Sequence, residues 1–227
     1  SFALDTSSMD QVLGLVKENN LTVTWVLDTH PHADHVMASS RLKKHTGAPN
    51  AIGVKVKEIA ELWREIYHTP DAFDPDRDFD RLFQDGDTFK IGSLEVSVML
   101  SVGHTLGSIS YICGDAIFAH DTFMQPDSGT ARADFPGGST EELWNSLQKI
   151  LALPGNTRVF VGHDYGSKDR NEPEWEATVD EHKAHNIHVK DGTKKEDYIK
   201  VRNERDATLS LPDRMLAALQ INLRAGQ

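Results

Sequence analysis

The chain has 227 residues, 38% hydrophobic and 26% charged, and its 24 Lys and Arg against 35 Asp and Glu give a formal charge of −11. This composition belongs to folded globular chains rather than disordered ones, and the negative sign disfavours nucleic acid and anionic membrane as partners. The single cysteine, Cys113, has no intrachain disulfide partner, which excludes a disulfide-stapled secreted domain and fits a reducing compartment.

No stretch approaches the ~20 consecutive apolar residues of a membrane span, and the start SFALDTSS lacks a basic region followed by an apolar run. The chain therefore reads as a soluble, cytoplasmic protein. In chain order, Asp10–Asn19 carries Val12, Leu15 and Val16 at helical spacing, and Leu21–Leu27 (LTVTWVL) is apolar and β-branched enough for a buried strand. Val36–His45 and Val56–His68 read as helices, the second with Ile59, Leu62, Trp63 and Ile66 on one face, and Gly47 and Pro49 punctuate between them. From Phe89 to Phe123 short alternating runs separated by glycines predict an antiparallel meander. Ser139-Thr140-Glu141-Glu142 is a capping pattern that opens an amphipathic helix with Leu143, Leu147, Ile150 and Leu151, and Pro154-Gly155 ends it. Thr157–Val161 returns to strand. The tail from Glu172 is charged and mostly helical in pattern, with a second capping box expected at Thr193–Glu196. No repeat or linker divides the chain, so residues 1–227 read as one domain with 172–227 as a helical C-terminal extension packed on it.

Chemistry concentrates in Thr29-His30-Pro31-His32-Ala33-Asp34-His35, directly after the Leu21–Leu27 strand. His30, His32, Asp34 and His35 lie on a loop, which can aim neighbouring side chains at one point, so the segment predicts metal binding. The competing reading is a solvated polar loop, or a helix N-terminus capped by Asp34. His104 in VGHTLG, Asp121 in AHDTF and His163 in VGHDYG each follow an apolar strand and precede a turn. All three can therefore project from one edge of a sheet into a shared pocket.

These motifs in this order resemble the metallo-β-lactamase fold, with its THxHxDH, GH, Asp and GH pattern. The resemblance implies an α/β (α+β) chain folded as an αββα sandwich with the metal site at one edge of its two sheets. It also implies opening strands before the first helix; only Phe2–Asp5 is available, so these read as missing or shortened. In dinuclear members the matching positions place His30, His32 and His104 on one metal, Asp34, His35 and His163 on a second, and Asp121 between them. His120 stands where the family usually has Gly; of two readings, an extra donor behind the ligands or a strand residue, the strand residue is favoured.

The run Gly129-Thr130-Ala131-Arg132-Ala133-Asp134-Phe135-Pro136-Gly137-Gly138, with His163-Asp164-Tyr165 and the terminal Asn222-Leu223-Arg224-Ala225-Gly226, is similar to the persulfide dioxygenase branch, in particular its bacterial β-lactamase-hydrolase-like group. That resemblance implies one Fe(II) per chain held by His30, His104 and Asp121. Two imidazoles and a carboxylate leave coordination positions open, as an oxygenase needs and a closed structural zinc site lacks. It implies oxidation of glutathione persulfide, or a similar small persulfide, by O₂ to sulfite and thiol in sulfide detoxification, with a homodimer as the family-level expectation. Asp34 and Tyr165 are then the candidate catalytic groups, and Arg132 and Tyr165 the candidate substrate contacts. An ion pair of Arg132 with Asp134 or Asp127 is an equal alternative for that residue. His32, Asp34, His35 and His163 become outer-shell groups or ligands of a second metal. The competing function is a glyoxalase II-like hydrolase of thioesters or lactones carrying two Zn(II). His182, His185 and His188 recur every three residues, drift around a helix, and are read as surface or dimer-contact residues. Cys113 is read as a small buried hydrophobe, Lys43-Lys44 as a solvated pair, and Trp25, Trp63, Trp144 and Trp175 as core.

Overall fold

The computed structural model describes residues 5–227, so most of the Phe2–Asp5 segment lies outside the described residues. Helix α1 (Ser7–Glu18) leads to strand β1 (Val26–Leu27), helix α2 (Ser39–Thr46), β2 (Asn50–Gly53), α3 (Val56–Tyr67), the single turn α4 (Pro75–Asp78) and β3 (Arg81–Phe83). Then come β4 (Thr88–Ile91), β5 (Leu94–Leu100), β6 (Ile109–Cys113), β7 (Ala116–His120), α5 (Thr140–Leu151), β8 (Arg158–Val161), β9 (Glu176–Thr178), α6 (Val179–His185), α7 (Lys195–Asp206) and α8 (Met215–Asn222).

Strands β1-β2-β3 form a parallel sheet, and β4 to β9 form a second sheet in sequential order. The expected antiparallel meander is β4 to β7. Parallel pairing of β7 with β8 requires a crossover, which α5 supplies. Side-chain alternation then builds three cores. Ile52 and Leu82 face α3 and α8, with Ile59, Trp63, Met215 and Leu219 between. Their neighbours Ala51 and Phe83 turn the other way and meet Val96, Val98, Ile109 and Tyr111 of the second sheet. The far face of that sheet, with Ile117, Ala119 and Val159, packs on Leu143, Leu147 and Ile150 of α5, Val179 of α6 and Tyr198 of α7. Three cores separate four layers, so the chain is an αββα sandwich. Among the described residues no helix is long and apolar enough to cross a membrane.

Several elements depart from the sequence reading. The predicted strand Leu21–Leu27 is laddered only at Val26–Leu27. Its partner strand begins at Asn50, just after Pro49, so the residues before Val26 have no strand to pair with. The predicted helix Val36–His45 starts at Ser39, because the Ser40 N–H, which would bond the Val36 carbonyl in the longer helix, donates at 2.9 Å to the Ala225 carbonyl. Val12 and Leu15 of α1 face solvent, 51% and 58% exposed. Ser139 caps α5 by accepting from the Glu142 N–H. The capping box expected at Thr193–Glu196 is absent there: α7 begins after Lys194 with no side-chain cap. A full capping box sits instead at Thr178 and Glu181, where β9 turns directly into α6. Trp63 is buried and Trp25 and Trp144 pack against the cores, but Trp175 is 66% exposed on the loop before β9.

Candidate metal centre

The loop after β1 is pinned along its length. The Ile109 N–H donates to the Thr29 carbonyl at 3.1 Å, and the Tyr111 hydroxyl to the Asp28 carbonyl at 2.8 Å. The amide of Asn222, fully buried in α8, donates to the carbonyls of both His32 and His35 at 2.7 Å, and its oxygen takes the Met37 N–H. Burial drives the Asp28 carboxyl up to about 6 against the lowering effect of its hydrogen bond from the Ser39 hydroxyl.

The two GH motifs have a packing reason. Gly103 has φ +130°, and a Cβ there would lie 2.2 Å from the Leu143 backbone nitrogen at the start of α5. A Cβ on Gly162 would stand 2.3 Å from Asp121 Oδ1. Glycine therefore lets His104 and His163 approach the same point from two strand ends. Between them the β7–β8 register slips around Phe118 and His120, and this bulge turns Asp121 into the site.

Six histidines and two aspartates gather there. Asp121 Oδ2 lies 3.4 Å from His30 Nε2 and 3.5 Å from His104 Nε2, and its Oδ1 lies 3.7 Å from His163 Nε2. Asp34 hydrogen-bonds His35 at 3.1 Å and faces His163 at 3.2 Å. The ring of His32 sits 4.2 Å from that of His30 and 4.3 Å from that of His35. Ligand atoms from His30, His32 and Asp121 all fall within 4.8 Å of one another, and so do those from His32, Asp34 and His35.

The donor set fits a cation. Ligand atoms about 2.1 Å from a shared ion stand roughly 3.0–3.4 Å apart at octahedral to tetrahedral angles. The spacings around Asp121 match that more closely than a hydrogen bond. Asp121 Oδ1 and His32 Nδ1 are buried without a hydrogen-bond partner among the described residues. The remote nitrogens are already engaged: His30 Nδ1 by the Thr29 hydroxyl at 3.1 Å and His104 Nδ1 by the Arg132 carbonyl at 2.8 Å. Both Nε2 atoms are thereby aimed at Asp121, and the carbonyl, which can only accept, fixes His104 with its Nε2 unprotonated. Burial raises the Asp121 carboxyl, but the close approach of His30 and the positive potential of His30, His104 and His32 outweigh it, leaving the group well below the carboxylate range. Asp34 is likewise raised by burial and brought far down by His163 and His35. Burial also pushes His32 and His104 below the ordinary imidazole value, toward the neutral form a metal ligand requires.

His120, the last residue of β7 as read from the sequence, is also a neighbour of the site. It is buried, its ring lies 5.0 Å from that of His30, and its Nε2 bonds the hydroxyls of Ser101 at 3.1 Å and Thr122 at 2.9 Å. The alternative of an outer-shell residue, weighed against a plain strand residue, thus describes it as well.

A cavity of about 840 Å³ opens on Asp34, His104, Asp121 and His163 and runs past Arg132 and Tyr165 to the C-terminal segment. Tyr165 is 75% exposed and stacks on His163 with ring centroids 5.6 Å apart. Partial desolvation where it lines the cavity and the carboxylates of Asp34 and Asp121 raise its phenol, so it remains a hydrogen-bond donor at neutral pH. Arg132 is held by Asp134 at 2.6 and 2.7 Å and donates to the Ser210 carbonyl at 2.8 Å, the ion-pair alternative for this residue. Sequence reasoning passed over Arg170, which spans from Asp127 at 2.9 Å to Asp164 and ties the loop after Asp121 to the loop after His163. It also passed over Asn222 as a clamp on the metal loop, although its terminal run was noted. The histidine series behaves differently from the surface reading. His185 is exposed, but His182 is fully buried against Phe123 and His188 Nδ1 accepts the Thr130 N–H at 3.0 Å.

Residues 2–163 match the family model of the metallo-beta-lactamase superfamily. Over all 227 residues the chain is 50% identical to a beta-lactamase hydrolase-like protein of Xylella fastidiosa strain Temecula1, of which it spans 52%, about half the relative's length. A hydroxyacylglutathione hydrolase of Rhodospirillum rubrum is 32% identical over 71% of this chain and 56% of its own. Among solved structures, ETHE1 from Myxococcus xanthus superposes with a TM-score of 0.79 at 30% identity, covering 97% of this chain and 85% of that one. With the family model spanning most of the chain and the seven motif residues gathered at one edge of the sandwich, the chain belongs to the metallo-β-lactamase superfamily.

Proposed function

We propose that the chain is a mononuclear non-haem Fe(II) persulfide dioxygenase, acting in the cytoplasm on glutathione persulfide or a similar small persulfide. The observation that carries the one-metal reading is an asymmetry in the cluster. Asp34, His35 and His163 satisfy one another through contacts of 3.1 and 3.2 Å, whereas Asp121 Oδ2 faces the His30 and His104 nitrogens at 3.4 and 3.5 Å, the spacing of ligands on one ion. The likeness to ETHE1 over 97% of the chain supports the same branch. Iron held by His30, His104 and Asp121 would supply redox chemistry with open coordination positions. The reaction balances as persulfide plus O₂ plus water giving thiol, sulfite and two protons.

The chain's own residues hold the thiol-bearing half. Tyr165 presents its phenol beside His163. Lys168 and Arg205 line the same cavity, and among the described residues neither is in an ion pair; Arg205 donates to the Thr208 hydroxyl at 3.1 Å. With Arg132 engaged by Asp134, these two cations are the ones available to the carboxylates of a glutathione moiety. Lys168→Gln and Arg205→Gln are each expected to raise KM about three- to tenfold, as for a contact of roughly 1 kcal/mol at a solvated rim, with kcat little changed. Steady-state kinetics check this; an unchanged KM in both variants removes them from substrate binding.

The deciding experiment is oxygen uptake by the Fe(II)-loaded protein on adding glutathione persulfide, with sulfite assayed in the same vessel. The expected result is one sulfite per O₂ consumed. A second reading, a dinuclear zinc hydrolase of thioesters, is favoured by the His32, Asp34 and His35 cluster and by the hydroxyacylglutathione hydrolase relative. Anaerobic thioester cleavage by zinc-loaded protein, with no oxygen uptake by the iron form, establishes that alternative.

A further inference from the structure

Helix α7 buries three side chains, Tyr198, Arg202 and Asp206, spaced one turn apart, and two of the three are charged. Arg202 and Asp206 pair at 2.6 Å, each only 4% exposed. A buried ion pair is a weak source of stability, because desolvation offsets its attraction, so what else these groups hold is informative. Arg202 Nη1 donates to the Thr130 carbonyl at 3.0 Å, and Asp206 Oδ2 accepts the Ala133 N–H at 2.9 Å. The Tyr198 hydroxyl meets the Thr130 hydroxyl at 3.1 Å. The ion pair thus grips both ends of the Thr130–Ala133 backbone. Between those ends lies the Arg132 carbonyl, the acceptor of the His104 Nδ1–H at 2.8 Å.

We propose that Arg202 and Asp206 are positioning residues of the metal centre, acting through the 130–133 backbone to fix the carbonyl that orients His104. The helix touches no ligand, yet it sets which nitrogen of His104 carries the proton and where the other points. A ligand imidazole depends on such an outer acceptor for tautomer and aim, and loss of one weakens metal binding about 10- to 100-fold. The C-terminal segment, beyond the residues matched by the family model, is in this way part of the site. The inference rests on His104 being a metal ligand and is independent of the choice between dioxygenase and hydrolase.

The test uses the full chain and reads metal affinity, histidine tautomer and stability. In metal-free wild-type protein, nitrogen-15 spectra are expected to show His104 as the Nδ1–H tautomer; the Nε2–H form there overturns the proposal without any variant. The double variant Arg202→Met, Asp206→Leu replaces the pair with apolar groups of similar volume, a change that buried pairs tolerate. It is expected to keep the wild-type unfolding midpoint within a few degrees while its Kd for Co(II) or Zn(II) rises at least about tenfold and the His104 tautomer becomes mixed. Should that variant fail to fold, Asp206→Asn retains an acceptor for Ala133 and is expected to give a smaller rise in Kd than Asp206→Ala. Wild-type affinity and tautomer in a folded double variant overturn the proposal, as does equal affinity of the Asn and Ala variants. Because none of these readouts involves turnover, their outcome is separate from that of the oxygen-uptake experiment.

Discussion

Asp121→Ala is expected to leave the protein essentially free of tightly bound metal and of turnover, whichever reaction the centre performs. Its carboxylate is the one anion facing His30, His104 and His163 together, and it is 5% exposed, so water cannot replace it at bulk cost. Loss of a mere outer-shell partner costs about 10- to 100-fold in metal affinity, so loss of a direct anionic ligand costs more. Metal content by elemental analysis after gel filtration checks this, and one metal per Asp121→Ala chain would refute the ligand assignment. His163→Ala separates the two functional readings. It is expected to keep its iron if the site is mononuclear, because His163 then pairs with Asp34 outside the coordination sphere. A dinuclear centre would lose half its metal.

The second large effect concerns acid stability and lies outside the metal site. His182 has burial as the main cause of a pKa lowered to about 4, from 6.5. The local hydrogen bonds give the same direction: Asn186 donates its amide to His182 Nδ1 at 3.1 Å, and the Asn186 oxygen is committed to the His188 and Val189 N–H groups. A proton on Nδ1 would face another N–H. Because the folded pKa is depressed, the contribution of neutral His182 is fully present above pH 6.5 and is lost as pH falls from there through about 4. The full span corresponds to about 3 kcal/mol. His182→Phe keeps the packing on Phe123 and leaves Asn186 its bond to the Gly129 carbonyl. Denaturant titrations between pH 7.5 and 4 are expected to show the wild type losing about 3 kcal/mol more than this variant. Parallel curves would contradict the assignment. His188, lowered to about 4 by burial and by Arg202 and Arg205, titrates in both proteins and so cancels in the comparison.

The elements legible in the sequence are those that carry their own pattern. Val56–Tyr67 was read to within a residue, because Ile59 and Trp63 recur on one buried face and His68, with φ +54°, ends the helix. The strands from β4 to β7 were legible because alternating residues sort onto two differently packed faces. What failed was decided by partners distant in sequence. The start of α2 depends on Ala225, 185 positions from Ser40, and the length of β1 depends on where β2 begins beside it. The fate of His182 follows from the fold of the segment around Gly129, and Trp175 is left exposed although its composition suits a core.

The sequence by itself determined the inventory of candidate ligands. The loop after β1 is a local motif whose residue types admit few uses, and the two Gly-His pairs and Asp121 stand at strand ends that hydrophobic alternation reveals. Only the tertiary structure decided how those residues are held and what stands beside them. It placed Arg132 against Asp134, left Lys168 and Arg205 in the cavity without an ion pair among the described residues, and brought Asn222, Arg202 and Asp206 from the C-terminal helices onto the backbone that aims the candidate ligands. The physical reason is that periodicity reports which face of an element is buried, whereas a buried polar group must find a specific partner. That partner is fixed by the packing of whole layers and leaves no mark on the spacing of its neighbours.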